Sequence, residues 1–311
     1  MPLVNLLGAA SAFLAAAIWG GLYVVSKYVL YFVPPLTLVV LRFAIGLATL
    51  GAILLLTRGR PVARRDLPAL ALLGLVGFTV SIGAQFAGTK LSTAANGALI
   101  TSATPALVVV FARWLLGEKA TRPRLFGLAL ATLGVLVVSD PSAISLAPDL
   151  ALGNAFLVLA AITWALYSVL AKKASRRYSV LTVTTYATLF GLCFTAPLAA
   201  GELAVVGPPP PPTPLVLLGV LYIGVISTAG AFYLWNLGMA LLDSAVAGIF
   251  FFAQPVVGGF LGWLLLGEQL GAAFFAGGAL IFLGVAVVTV WRPPNGAPTR
   301  RAPDERAGGT V

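Results

Sequence analysis

The chain is 311 residues long, 60% hydrophobic and only 9% charged, with a mean hydropathy of +1.03 and a formal net charge of +10. Soluble domains are nearer ~45–50% apolar and ~25% charged, so a soluble globular fold is excluded and the chain reads as a membrane protein. It contains no histidine, and its nine acids fall in loops, at helix ends or in the tail, so a mid-membrane nucleophile–base pair or metal site lacks its parts. No enzymatic activity, cofactor or metal is expected.

A spanning helix needs ~20 apolar residues, because hydrocarbon offers the backbone no hydrogen-bond partners. Ten such runs follow one another, at about 6–27, 35–56, 68–89, 93–116, 123–139, 151–171, 180–200, 214–238, 244–266 and 270–291. The predicted fold is all-α: a polytopic membrane protein of ten transmembrane helices. The first run follows "MPLVN", which has no basic leader, and reads as a retained helix. It carries Trp19 and Tyr23 one helical turn apart, with Lys27 extending the stripe. The second run contains Arg42. The third places Phe78, Ser81 and Gln85 on one face, and the fourth carries Asn96 near its start and Pro105 near its middle.

The fifth run is short. The sixth repeats the aromatic stripe with Trp164, Tyr167 and Ser168, and the seventh holds the single cysteine, Cys193, read as a small buried filler. Phe232 and Asn236 share a face of the eighth run. The ninth carries Phe250, Gln254 and Pro255. Residues 293–311 read as a disordered tail. Polar groups deep in hydrocarbon are costly and usually face an interior cavity, which makes Ser81, Gln85, Asn236 and Gln254 candidate lining residues. Trp19 and Trp164 lie too near mid-run for an aromatic belt at headgroup depth. They are either cavity wall or plain core. Arg42 is expected to fix a helix through backbone carbonyls, with Lys27 and Lys90 snorkelling outward, although each has the charge to meet a substrate carboxylate.

Lys and Arg concentrate after even-numbered runs: Arg58, Arg60, Arg64 and Arg65; Lys119, Arg122 and Arg124; Lys172, Lys173, Arg176 and Arg177; Arg292, Arg300, Arg301 and Arg306. Short cytoplasmic loops are enriched in these residues, so both termini are expected in the cytoplasm. The positive charge is then topology and headgroup attraction, and nucleic-acid binding is not needed to explain it.

The chain also repeats itself. Shifted by about 150 residues, Pro105, Gly117, Glu118, Gly127 and Gly134 fall on Pro255, Gly267, Glu268, Gly277 and Gly284, while "AAIWGGLYVVSK" (16–27) answers "AAITWALYSVLAK" (160–172). Two five-helix halves are expected, 1–140 and 150–292, and an odd helix number per half makes the repeat inverted. A proline in mid-helix removes a donor and frees the carbonyl four residues back, here on Thr101 and Phe251. Pro105 and Pro255 are therefore candidate gating kinks at matching depth. Glu118 and Glu268 follow helix-ending glycines and precede the next helix, where an acid favours the positive end of the dipole. The repeated glycines are expected at close helix contacts.

The "WGxxYVxxK" opening helix, "LRFAIGLATL" (41–50), the "P…LLGE" segment in both halves and the inverted repeat together resemble the drug/metabolite transporter superfamily, of the EamA-domain type. The aromatic-rich interior is similar to the YddG-type exporters of aromatic amino acids. The resemblance implies export of small metabolites across a bacterial inner membrane. The expected partners are the lipid bilayer and a small-molecule substrate; a monomer is compatible with the sequence. The residues assigned to that substrate are Trp19, Tyr23, Phe78, Ser81, Gln85, Trp164, Tyr167, Phe232, Asn236, Phe250 and Gln254. The alternatives are a small multidrug or other metabolite exporter and a channel. A cation exporter ordinarily wants a buried acid as counter-charge, and mirrored kinks fit alternating access better than a static pore.

Overall fold

The computed structural model describes residues 3–58, 62–92, 94–138, 147–267 and 269–290, and these are entirely helical and irregular, without strands. The helices are α1 (Leu3–Val29), α2 (Pro35–Leu56), α3 (Leu67–Leu73), α4 (Ser81–Leu91), α5 (Ala94–Thr101), α6 (Thr104–Leu116), α7 (Arg122–Val138), α8 (Ala151–Ala174), α9 (Val180–Val206), α10 (Pro214–Leu221), α11 (Ala231–Leu241), α12 (Ser244–Ile249), α13 (Ala253–Leu266) and α14 (Ala272–Val290). Two π-helical segments, Gly74–Val80 and Tyr222–Gly230, join α3 to α4 and α10 to α11. Eight continuous helical stretches are long and apolar enough to cross a membrane; Thr104–Leu116 is a shorter apolar helix, and α7 has 17 residues. The residues predicted as the tail lie outside the described residues.

Local signals account for the ends. Pro35 opens α2 at the position where its missing N–H costs nothing. Ser179 and Thr213 cap α9 and α10 by accepting from the backbone N–H of Thr182 and Val216. Gly117 (φ 71°) and Gly267 (φ 69°) close α6 and α13 in the left-handed conformation that glycine adopts without strain. The two Gly-Glu turns thus begin identically.

The packing pairs distant parts of the chain. α1 lies against α11 and α13, while α8 lies against α4 and α6; α2 packs on α9, and α7 on α14. Replacing each helix by the one about 150 residues away maps this set onto itself. Gly127 faces Gly284 and Gly134 faces Gly277, so α7 and α14 cross antiparallel; a Cβ on Gly134 would stand 2.6 Å from the Gly277 carbonyl oxygen. Small residues at such crossings let backbones approach and gain dispersion contacts that lipid cannot supply.

The exterior is apolar, as a lipid solvent requires. Leu55, Leu56, Trp114, Val205 and Phe126 stand exposed, and so does Cys193, which the sequence suggested would be buried. The reason is its position: Gly191 packs on Phe78, and two residues further on the helix has turned its face outward. The interior is filled by Trp235, Phe43, Phe78, Phe232 and Tyr167, each almost wholly buried.

Candidate functional site

The run expected over 93–116 is not one helix. α5 ends at Thr101 and α6 begins at Thr104, with Pro105 in its first turn. The run over 244–266 breaks at the matching place, where α12 gives way to a 3-10 turn, Phe250–Phe252, before α13 with Pro255 in its first turn. A proline ring cannot sit beside the carbonyl four residues back in a continuous helix, so each break falls where the freed carbonyl lies. The π-helical segments are paired in the same way, each ending one residue before the following helix, at Val80 and Gly230.

The two proline-linked breaks border a cavity of about 60 Å³, lined by Trp19, Leu22, Arg42, Ser81, Ile82, Gln85, Thr101, Thr104, Ala160, Ala161, Trp164, Phe232, Phe251 and Gln254. Its lining sets aromatic rings beside a few polar groups. Trp19 forms the centre of an aromatic wall: its ring meets Trp164 edge-on at 5.4 Å, Phe232 at 5.5 Å and Phe251 at 6.2 Å between centroids. Its Nε1–H donates to the Ser227 carbonyl at 3.1 Å, which fixes the ring. Trp164 Nε1 and Gln254 Nε2 are buried in the same lining with no hydrogen-bond partner among the described residues.

Six of the sequence-predicted residues therefore meet at the cavity: Trp19, Ser81, Gln85, Trp164, Phe232 and Gln254. Phe78, Tyr167 and Asn236 stand behind its wall. Phe78 backs Phe232 at 4.7 Å, and Asn236 Nδ2 donates to the Tyr167 hydroxyl at 2.8 Å and to Thr184 Oγ1 at 2.9 Å. Both hydrogens of the Asn236 amide are thus committed to neighbouring helices, while its Oδ1 has no hydrogen-bond partner among the described residues. Phe250 is buried in the 3-10 turn, one residue from Phe251, which takes the lining position because the tighter winding rotates the face. The side chains of Tyr23 and Lys27 lie outside the described residues, as does Glu268.

Arg42 departs from its expected role. It is 1% exposed, lines the cavity, and donates from Nε to Thr228 Oγ1 at 2.9 Å rather than to backbone carbonyls. Thr228 in turn donates to the Ile223 carbonyl five residues back, the spacing of the π-helical turn. The guanidinium carbon lies 5.5 Å from the Phe232 ring centroid and 5.9 Å from that of Phe43. Thr101 and Thr104 were missed because their signal is positional: they border the break that Pro105 produces. Asn96, open between cap and cavity, bonds Asn154 Oδ1 at 2.9 Å, away from the lining.

The helical fold, with many apolar helices long enough to cross a membrane, is that of a multi-pass membrane protein. Residues 6–140 and again 151–290 match the EamA-like transporter family, and the chain belongs to that family, within the drug/metabolite transporter superfamily. It is 29% identical over 291 residues, 89% of this chain and 92% of the relative, to a Salmonella typhimurium protein named a probable amino-acid metabolite efflux pump. It is 31% identical over 281 residues, 89% of this chain and 84% of the relative, to the uncharacterized transporter YetK of Bacillus subtilis. A solved crystal structure covering 91% of this chain and 96% of its own shares the fold with a TM-score of 0.80 at 28% identity.

Proposed function

We propose that the chain is a ten-helix secondary transporter whose two inverted five-helix halves, 1–140 and 150–292, alternate access to the central cavity and export small amphipathic metabolites, aromatic or hydrophobic amino acids in the first place. It would sit in a bacterial inner membrane with both termini in the cytoplasm, in the manner of the YddG-type exporters. The observation that carries this reading is the meeting of two matched helix breaks, at 102–103 and 250–252, on one wall of tryptophan and phenylalanine. Interrupted helices at corresponding places of two repeats are where carriers of this architecture hold substrate. Offset and edge-on rings suit a flat apolar body, and the few polar groups supply orientation. The relative named for amino-acid metabolite efflux lends weight to the substrate class.

The test is counterflow in proteoliposomes against a panel of labelled amino acids, nucleosides and organic cations. Saturable exchange of aromatic or branched amino acids is expected. Exchange of nucleosides or cations alone would overturn the substrate class, and ohmic conductance in planar bilayers would overturn the carrier.

A further inference from the structure

We propose that Arg42 is the carboxylate-binding residue of the cavity and that its ligand is a small organic acid, with the apolar body of the ligand against Trp19, Trp164 and Phe232. This rests on reading the cavity as the substrate site and adds what the ligand must carry at one end.

A guanidinium away from water is expensive unless it is paired and hydrogen-bonded, and Arg42 is 1% exposed with no carboxylate in ion-pair range among the described residues. One of its five N–H groups is engaged, by Thr228; the faces of Phe43 and Phe232 support the charge from the side. A residue serving only as a strut would use its amino groups on backbone carbonyls. Among the described residues it is the sole charged side chain of the lining.

A second observation points the same way. Trp164 Nε1 and Gln254 Nε2, each 7% exposed, are buried donors with no partner among the described residues, and both line this cavity. Guanidinium, indole and amide together make a donor-rich site, which suits a ligand rich in acceptors. A carboxylate presents two oxygens to the guanidinium fork. A phosphate, with its higher charge, would call for a second cation, and the lining has none among the described residues. An organic cation would meet Arg42 as a like charge in low dielectric.

The charge also belongs to one half only. In the register that pairs Trp19 with Trp164 and Gly46 with Gly191, Arg42 is answered by Ala187. The two tryptophans of the wall mirror one another and the cation has no such counterpart, so the ligand has one orientation.

The experiment uses the full chain in proteoliposomes and in detergent. Counterflow of labelled phenylalanine is competed by phenylalaninamide, phenethylamine, 3-phenylpropionate and phenyl phosphate, and direct binding of the same series is read by quenching of tryptophan fluorescence. Phenylalanine and 3-phenylpropionate are expected to bind roughly tenfold or more tightly than the amide and the amine, since removing the charged acceptor leaves buried donors unpaired. Arg42→Gln should abolish that preference, and Arg42→Lys should restore part of it. Should Arg42→Gln fail to fold, the wild-type series and Arg42→Lys still decide. If 3-phenylpropionate binds and phenylalanine neither binds nor exchanges, Arg42 keeps its role and the amino-acid reading falls. If phenylalanine exchanges and its amide competes equally, the amino-acid reading stands and the role of Arg42 is overturned. Tightest binding by phenyl phosphate, a preference unchanged in Arg42→Gln, or no binding by any carboxylate overturns it too.

Discussion

Lys172 Nζ lies 2.7 Å from Glu118 Oε1, while the other carboxylate oxygen of Glu118 accepts the backbone N–H of Ser244 at 2.8 Å. Lys172 also donates to the Leu242 carbonyl and to Ser244 Oγ. The ends of α6, α8 and α12 are thus tied at one point on the face that carries the arginine-rich loops. Helix-dipole reasoning assigned Glu118 to the start of the helix that follows it in sequence; it serves the start of α12 instead, because the halves bring that N-terminus beside the Gly117 turn. The other ion pairs on this face, Arg124 with Asp243 and Arg177 with Asp66, also join a residue before 140 to one after 150.

A pH dependence follows. Partial burial opposes ionisation of Glu118, but the hydrogen bond and charge of Lys172 and the Ser244 N–H outweigh it, and the carboxyl lies below its usual range. A group depressed in the folded state stabilises fully above its unfolded value, ~4.3, and that contribution fades as pH falls through the folded value. Glu118→Gln should therefore cost about 1–3 kcal/mol at neutral pH, by leaving the Lys172 ammonium half-paired. Thermal unfolding in detergent should show the gap between wild type and variant closing on acidification below pH ~4. A gap independent of pH would mean that the side chain acts by packing alone.

The crossing of α7 and α14 is a close backbone contact between the halves. A Cβ at Gly134 would fall 2.8 Å from the Ile281 backbone nitrogen as well as on the Gly277 carbonyl, so the helices must separate to accept it. Overpacking of this kind costs about 1–3 kcal/mol. Gly134→Ala should lower the melting temperature in detergent, and Gly134→Leu should prevent monodisperse purification. Gly83, whose Cβ would meet open space, should tolerate alanine.

Three tryptophans separate cavity from surface. Trp19 and Trp164 are 5% and 7% exposed in the lining, and Trp114 is 78% exposed on the lipid side. Trp19→Ala and Trp164→Ala should each weaken substrate binding about tenfold or more, the order expected for losing an aromatic contact and its buried area. Trp114→Ala should leave binding within about twofold. Equal, small effects at all three sites would make the mid-run tryptophans plain core.

Much of this arrangement was legible in the residues. Hydropathy located the helices, because the bilayer imposes one length and one backbone solution. The stripe of Trp19 and the polar positions Ser81, Gln85 and Gln254 reached the cavity because helical spacing fixes which side chains share a face. Tyr167 and Asn236 share those faces too, yet they are bonded to one another across α8 and α11, and no spacing within one helix reports a bond to another. The π-helical turns had no signal in the spacing; they hold Gly74 and Gly224, which lie close against Phe190 and Ile45, a contact between distant segments. Arg42 was visible as a charge in hydrocarbon, but its direction was set by Thr228, 186 residues away.

The paired prolines carry a kinetic prediction. Restoring the donor in Pro105→Ala or Pro255→Ala lets the helix close across the break, which removes a bend without emptying the core. Both variants should insert, purify and bind substrate near wild-type affinity while exchanging it several-fold more slowly. Wild-type exchange rates in both would leave the breaks as static shape.

Energy coupling gives the last prediction. A proton antiporter ordinarily alternates a proton and a substrate on a titratable group in its cavity, most often a carboxylate or a histidine. The sequence has no histidine, and among the described residues the lining contains one ionisable side chain, Arg42, whose guanidinium stays charged throughout the physiological range. The carboxylates that approach the helices are otherwise engaged: Glu118 holds Lys172 and Ser244, and Glu202 accepts from the N–H groups of Leu36 and Thr37, at 3.1 and 2.8 Å, at the start of α2. Substrate should then run down its own gradient. In liposomes at matched substrate gradients, with the membrane potential clamped, exchange should proceed equally with and without an imposed pH difference. Strict dependence on that difference would sink the idea and turn attention to Glu118, where a proton taken up at low pH would release the tie to Lys172 and loosen one face of the carrier.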